Sequence, residues 1–229
     1  MDFSKFEETA GVEFKNKALL KQAFIHRSYI NENRASGLEH NERLEFLGDA
    51  VLELVITDFL YKKFKEMDEG QLTSLRSALV NADTCSSVAQ KLGANDFLLL
   101  SRGESKDVGR ARQYILANTL EAIIGALYMD QGFDEAQKFI FAHITPLTDE
   151  IVNNKAWIDA KSLFQEKAQE NLGTTPSYKT VRETGPDHDK EFLVGVYVGN
   201  EKLGEGEGKS KQDAEQEAAR NALKNKGWE

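Results

Sequence analysis

One stretch limits what this chain can become more than any other: His40 to Leu54, HNERLEFLGDAVLEL. Glu42, Glu45, Asp49 and Glu53 are spaced three, four and four residues apart. At about 100° per residue they share a sector of roughly 80° on a helix. Leu44, Phe46, Leu47, Val51, Leu52 and Leu54 run round the rest of the wheel, with small Gly48 and Ala50 between them. A solvated stripe more often carries Lys or Arg at i+4, which relieves the repulsion between like charges. Here carboxylates stack with no cation among them, on a helix apolar enough to be largely buried. That arrangement costs free energy unless something positive lies against it. Periodicity alone leaves two readings open: a divalent-cation site or an acidic stripe left in water.

The remainder of the first 150 or so residues also reads as helical. Leu19, Leu20, Ala23 and Phe24 form an apolar stripe, and HRSYINENRASGLEH is a polar connection. The Glu42 helix is expected to run to about Phe64, with a turn at MDEGQ. LTSLRSALVNADTCSSVAQKLG keeps a helical period up to a stop at Gly93. ARQYILANTLEAIIGALYMDQG is a second long, largely apolar helix, and strand-like alternation is scarce throughout. From Ala160 the character changes. A helix ending at Gly173 precedes a strand around Tyr178, a GPDHD turn, the alternating strand EFLVGVYV, the glycine-rich EKLGEGEGK and a last helix with an alanine face. The expected fold class is therefore α+β multidomain. An all-α domain over residues 1–152, a linker over 153–158 and a small α-β-β-β-α domain over 159–229 make up the chain.

Composition narrows the function classes. The 229 residues carry a net charge of −9, which argues against a protein that coats nucleic acid nonspecifically but not against one with a small basic patch. Cys85 is the only cysteine, so no disulfide framework and no cysteine-based zinc site can form. No basic-then-apolar leader or run of about 18 uncharged apolar residues is present, so a cytoplasmic protein with no membrane association is expected.

Asn41 to Leu52, NERLEFLGDAVL, resembles the endonuclease motif of ribonuclease III. A second locus, ILANTLEAIIGALYMD from Ile115 to Asp130, resembles that family's second motif block. Asn118 and Glu121 share a face there, in a segment too apolar for a surface helix. On its own, a buried Glu121 is more often a structural, hydrogen-bonded core residue than a ligand. The resemblance implies that Glu45, Asp49 and Glu121 bind metal together with Asn118, and that Asp49 and Glu121 are catalytic. Glu42 and Glu69 become accessory acids of the same centre. Mg2+ is the implied cofactor, with Mn2+ as a substitute. Such an ion suits clustered oxygen donors and stabilises the attacking and leaving oxygens of a phosphodiester displacement. His40 reads as a packing residue rather than a base. At position 118 the family most often has Asp, and an amide brings no charge. Three explanations stand: a tolerated natural variant, a substitution made to trap a complex, or an impaired nuclease.

The second half resembles a double-stranded-RNA-binding domain from about Asp159 to Lys226. Lys209, Ser210 and Lys211 sit at the start of the last helix, where free N–H groups and two lysines would clamp phosphate. Gln165, Glu166, Pro186 and His188 match the positions that enter minor grooves, where A-form shape is read rather than base identity. Gln212 and Asp213 stand where lysine or arginine is usual, which implies weaker binding. In the first half, Arg102 and Arg110, with Lys106 and Arg112, form a candidate cationic loop for RNA. Phe46 matches an aromatic of the family's homodimer interface. The implied function is an endoribonuclease that cleaves double-stranded RNA to 5′-phosphate products with short 3′ overhangs, processing ribosomal and other structured RNA. The rival is a duplex-RNA-binding protein whose site Asn118 has disabled.

Overall fold

The computed structural model describes residues 2–154, 157–186 and 190–228. It divides into two compact units, Met1–Trp157 and Ile158–Glu229.

The first unit is helical. Short helices α1 (Ser4–Ala10), α2 (Lys17–Ala23) and α3 (Arg27–Glu32) lead to the long α4 (Glu42–Lys63). Then come α5 (Glu69–Val80), α6 (Ala82–Lys91), the long α7 (Arg110–Gln131), α8 (Phe133–His143) and α9 (Thr148–Asn153). Helix α7 is the centre of the unit. Its buried residues run from Ile115 to Leu127, interrupted only by the half-buried Asn118 and Glu121, so the segment keeps one narrow polar opening in an otherwise enclosed helix. Thr119, buried among them, donates its hydroxyl to the Ile115 carbonyl at 2.7 Å, which removes the cost of an unpaired polar group. Phe3, Phe6, Phe24 and Phe97 pack ring against ring at 5.1–5.9 Å and hold the N-terminal helices to this core.

Three local expectations change. The segment 72–93 is two helices rather than one. Asn81 is extended (φ −70°, ψ 166°), and its side chain accepts from the Thr84 amide at 2.9 Å. An asparagine that can cap a helix competes with continuing one. The polar connection 26–40 contains α3, because His26 caps it by accepting from the Ser28 amide. Helix α4 is buried on one side only, through Leu44, Gly48, Val51, Leu52, Val55, Ile56 and Leu60. Phe46 and Leu54 lie outside, 81% and 58% exposed, because the core that α4 meets is narrower than the helix's apolar arc. Trp157, in the segment expected as linker, packs on this unit's core.

In the second unit α10 (Ala160–Leu172) precedes β1 (Ser177–Thr184), β2 (Glu191–Val198) and β3 (Glu201–Gly208), and α11 (Lys211–Lys226) follows. The sheet is antiparallel in the order β1-β2-β3, with irregularities at Thr180/Arg182 and Val196/Tyr197. The glycine-rich strand and the alanine face explain each other. A Cβ on Gly204 would lie 2.8 Å from the Ala222 amide, one on Gly208 would lie 2.5 Å from the Ala214 amide, and one on Gly206 would collide with the Ala218 amide. Alternate glycines on β3 thus admit α11 almost to backbone contact, and alanines keep the helix side of the contact thin. Phe164, Val196, Leu203, Leu223 and the alanines form a separate small core, closed by Trp228 stacked 5.8 Å from Phe164.

Candidate active site and RNA-contact surface

Two mid-helix glycines make the centre. A Cβ on Gly48 of α4 would collide with the Glu121 carbonyl oxygen and lie 2.8 Å from the Gly125 amide. A Cβ on Gly125 of α7 would collide with the Leu44 carbonyl oxygen and lie 3.0 Å from the Gly48 amide. Glycine within a helix costs about 0.5–1 kcal/mol relative to alanine, so a pair of them marks a contact that needs the missing methyl groups. Crossing this closely puts Glu45 and Asp49, on the turns flanking Gly48, within electrostatic reach of Glu121. Burial pushes the Glu121 carboxyl up to about 8, and the charges of Asp49 and Glu45 add to the effect. Burial also raises Glu45, with Glu42 and Asp49 contributing, while a hydrogen bond from the Asn118 amide favours its charged form. Asp49 is raised by desolvation and by Glu53. The structure therefore brings together the residues of both acidic loci, Asn118 included.

The stripe on α4 is not uniformly unrelieved, as its sequence had implied. Tertiary neighbours neutralise its ends: Arg27 lies 3.3 Å from Glu42, and Arg76 lies 4.0 Å from Glu53 while also donating to Thr57 Oγ1 at 3.1 Å. Among the described residues, no lysine or arginine forms an ion pair with Glu45, Asp49 or Glu121. Positive charge is missing only at the middle of the stripe. Arg27, Arg76, Gly48 and Gly125 all escaped the motif reading, although a glycine in each long helix was a legible sign of close approach. Cys85, buried on α6, lies behind the site; burial pushes its thiol up to about 12, and the Glu121 and Asp49 charges assist.

Glu69 lies elsewhere in this chain. It is exposed at the first turn of α5, accepts from Thr73 Oγ1 at 3.2 Å, and is not among the charges acting on Glu45, Asp49 or Glu121. The cationic loop divides. Arg102 and Arg110 are exposed, the latter near the Tyr114 hydroxyl at 3.4 Å. Arg112 is a strut instead, donating to Asn95 Oδ1 at 3.0 Å and to the Glu104 carbonyl at 2.8 Å.

On the second unit, Gln165 of α10 and Lys211 of α11 line one surface cleft. Glu166 is exposed beside Gln165, and Pro186 is exposed at the start of the β1–β2 connection. His188 lies outside the described residues. Ser210 caps α11, accepting from the Asp213 amide at 3.1 Å and donating to its carboxylate at 2.7 Å. Lys209 pairs with Glu191 at 3.1 Å, and Lys211 lies 3.9 Å from Glu183 with its ammonium 5.5 Å from the Phe192 ring centroid. These pairs are solvent-exposed and exchangeable, each worth at most about 1 kcal/mol.

The family description "Ribonuclease-III-like" matches residues 16–147, and "Double-stranded RNA binding motif" matches residues 160–226. A protein named Ribonuclease 3 from Oceanobacillus iheyensis is 45% identical over 223 residues, covering 97% of both chains. The chain belongs to the ribonuclease III family. Another Ribonuclease 3, from Bacillus licheniformis, is 46% identical over 221 residues, which is 96% of this chain and 88% of that one. A solved nuclease domain of ribonuclease III from Campylobacter jejuni has 40% identity and a TM-score of 0.58, covering 63% of this chain and 97% of its own. As a ribonuclease III, the chain is an endoribonuclease with an α+β fold: a helical nuclease region followed by a double-stranded-RNA-binding region. No helix among the described residues is long and apolar enough to cross a membrane.

Proposed function

We propose that this ribonuclease III is a homodimeric, Mg2+-dependent enzyme that cuts double-stranded RNA. It leaves 5′-phosphates and short 3′ overhangs and processes ribosomal and other structured RNA precursors in the cytoplasm. The observation that carries this reading is the one uncompensated part of the acidic stripe, Glu45 and Asp49 facing Glu121, with a cation supplied at both ends but none in the middle.

The donor set suits a hard divalent ion, since Glu45, Asp49, Glu121 and the Asn118 amide offer only oxygens. Among the described residues, no group of three or more His, Cys, Asp or Glu side chains is arranged to ligate one ion directly. Mg2+ does not require that, because it keeps several waters and is commonly held through one or two carboxylates. Mn2+, with the same ligand preferences, would substitute. When bound, the ion supplies charge stabilisation to a phosphodiester undergoing displacement. The chain's own residues do the rest. Asp49 and Glu121 hold and orient the reacting groups, Glu42 is an accessory acid, Glu69 stays outside the centre at the start of α5, and Asn118 orients Glu45 while leaving its carbonyl oxygen as a neutral donor.

Duplex RNA would be held by Gln165, Glu166, Pro186 and His188 at the grooves, and by Lys209, Ser210, Lys211, Arg102 and Arg110 at phosphates. Residues 1–152 are the nuclease domain, 153–158 a linker and 159–229 the RNA-binding domain. Phe46, exposed with Ala50 and Leu54 along one side of α4, supports the dimer. The Campylobacter jejuni nuclease domain is itself described as having a region involved in dimer formation.

The test incubates duplex RNA and Mg2+ with the chain, Asn118→Asp and Glu121→Ala. Cleavage by the chain, gained rate at limiting Mg2+ for Asn118→Asp and none for Glu121→Ala are expected. Binding without cleavage by all three would overturn the assignment.

A further inference from the structure

Duplex recognition by the second unit needs two separated elements to meet one helix at once: the side chains of α10 and the start of α11. Beside the apolar contact of Ala160 and Phe164 with the α11 alanines, a small, solvent-exposed polar joint lining the cleft ties the two elements together. Asp159 caps α10, accepting from the Lys161 amide at 3.1 Å and from the Ser162 amide at 3.2 Å and hydroxyl at 2.8 Å. The same carboxylate accepts from Gln216 Nε2 on α11 at 2.7 Å, while Gln216 Oε1 accepts from the Lys161 amide at 3.3 Å. One amide thus grips both the cap and the first turn of α10. Beside it Lys161 pairs with Glu215 at 2.5 Å, its ammonium 5.1 Å from the Tyr178 ring centroid. Asp159, Lys161, Gln165, Tyr178, Lys211 and Gln216 all line that cleft.

We propose that Gln216, through Asp159, is a positioning residue for duplex-RNA recognition, setting the spacing between the Gln165 face and the Ser210–Lys211 clamp. This rests on the RNA-binding reading above. Gln216 lies on the second turn of α11, whereas Gln165 and Lys211 are exposed at the rims. Shape-reading depends on the fixed separation of a groove contact and a phosphate contact. A loosened joint lets each contact form alone but not both together, so the loss falls on discrimination between A-form and B-form duplexes.

The full-length protein, held in Ca2+ to prevent cleavage, is titrated with a duplex RNA of about 20 base pairs and the DNA duplex of the same sequence. Gln216→Ala is expected to weaken RNA binding about five- to tenfold while leaving the weak DNA binding unchanged, with the melting temperature nearly constant. Asp159→Ser keeps a good helix cap but is too short to reach Gln216, and should reproduce the loss. The double variant should be no worse than either single one, the signature of a shared contact. Cleavage in Mg2+ should show a raised KM with kcat unchanged. Wild-type RNA affinity in Asp159→Ser or in a folded Gln216→Ala, or equal loss on RNA and DNA, overturns the proposal. Failure of the unaltered protein to prefer duplex RNA would instead overturn the RNA-binding reading itself. Should Gln216→Ala fail to fold, Asp159→Ser alone decides.

Discussion

The backbone of α4 at Gly48 lies against the carbonyl oxygen of Glu121 on α7, with no room for a methyl group between them. Gly48→Ala must therefore push two central helices apart. The expected cost is about 1–3 kcal/mol or more by urea unfolding, as for overpacked cores. Cleavage should fall further than the loss of folded protein explains, because Glu45 and Asp49 move away from Glu121. Unchanged activity per folded molecule would contradict the close crossing as the organiser of the site.

The Glu121 carboxyl gives the metal-free protein a particular pH dependence. Its ordinary value of 4.5 is raised to about 8 in the fold, so the folded state holds this proton more tightly than the unfolded chain. The contribution to stability is fully present below about pH 4.5 and is lost as pH rises through about 8. In EDTA, stability should decline across that window, and Glu121→Gln should flatten the decline. Adding Mg2+ near pH 7 should release protons and restore stability, since coordination needs the carboxylate. Calorimetry in two buffers of different ionisation enthalpy measures the release.

Phe46 is 81% exposed, which places it outside its own subunit's core. Phe46→Glu should leave the helical content of the protein intact and shift sedimentation from dimer to monomer at micromolar concentration. A dimer that survives the change would place the interface elsewhere.

Arg112 bridges Asn95 and the Glu104 carbonyl from the first turn of α7. Arg112→Ala should cost about 1–3 kcal/mol, in line with lost charge-assisted hydrogen bonds. Amide exchange should accelerate around Glu104 while the salt dependence of RNA binding stays the same. Arg102→Ala should do the reverse, lowering the salt slope by about one with little effect on stability.

Much of this was legible from residue order. The spacing of Glu42, Glu45, Asp49 and Glu53 determined a helix with one acidic sector. The Gly204-Gly206-Gly208 alternation and the Ala214-Ala218-Ala222 spacing determined which faces of β3 and α11 could meet. These are local periodicities, and a local periodicity needs no partner to be read. Even the break at Asn81 was present in the sequence as a capping residue, although the apolar period ran across it and hid it.

Other properties were decided only when distant segments packed. Arg27 and Arg76 come from other helices to neutralise the ends of the stripe, so which carboxylates keep an unbalanced charge is a tertiary fact. Phe46 on the outside, Arg112 as a strut and Gln216 across the cap of α10 are likewise matters of packing. The physical reason is the same in each case. Residue spacing fixes directions along one element, whereas burial and charge balance depend on distances between elements, and those are set by where the backbones can touch.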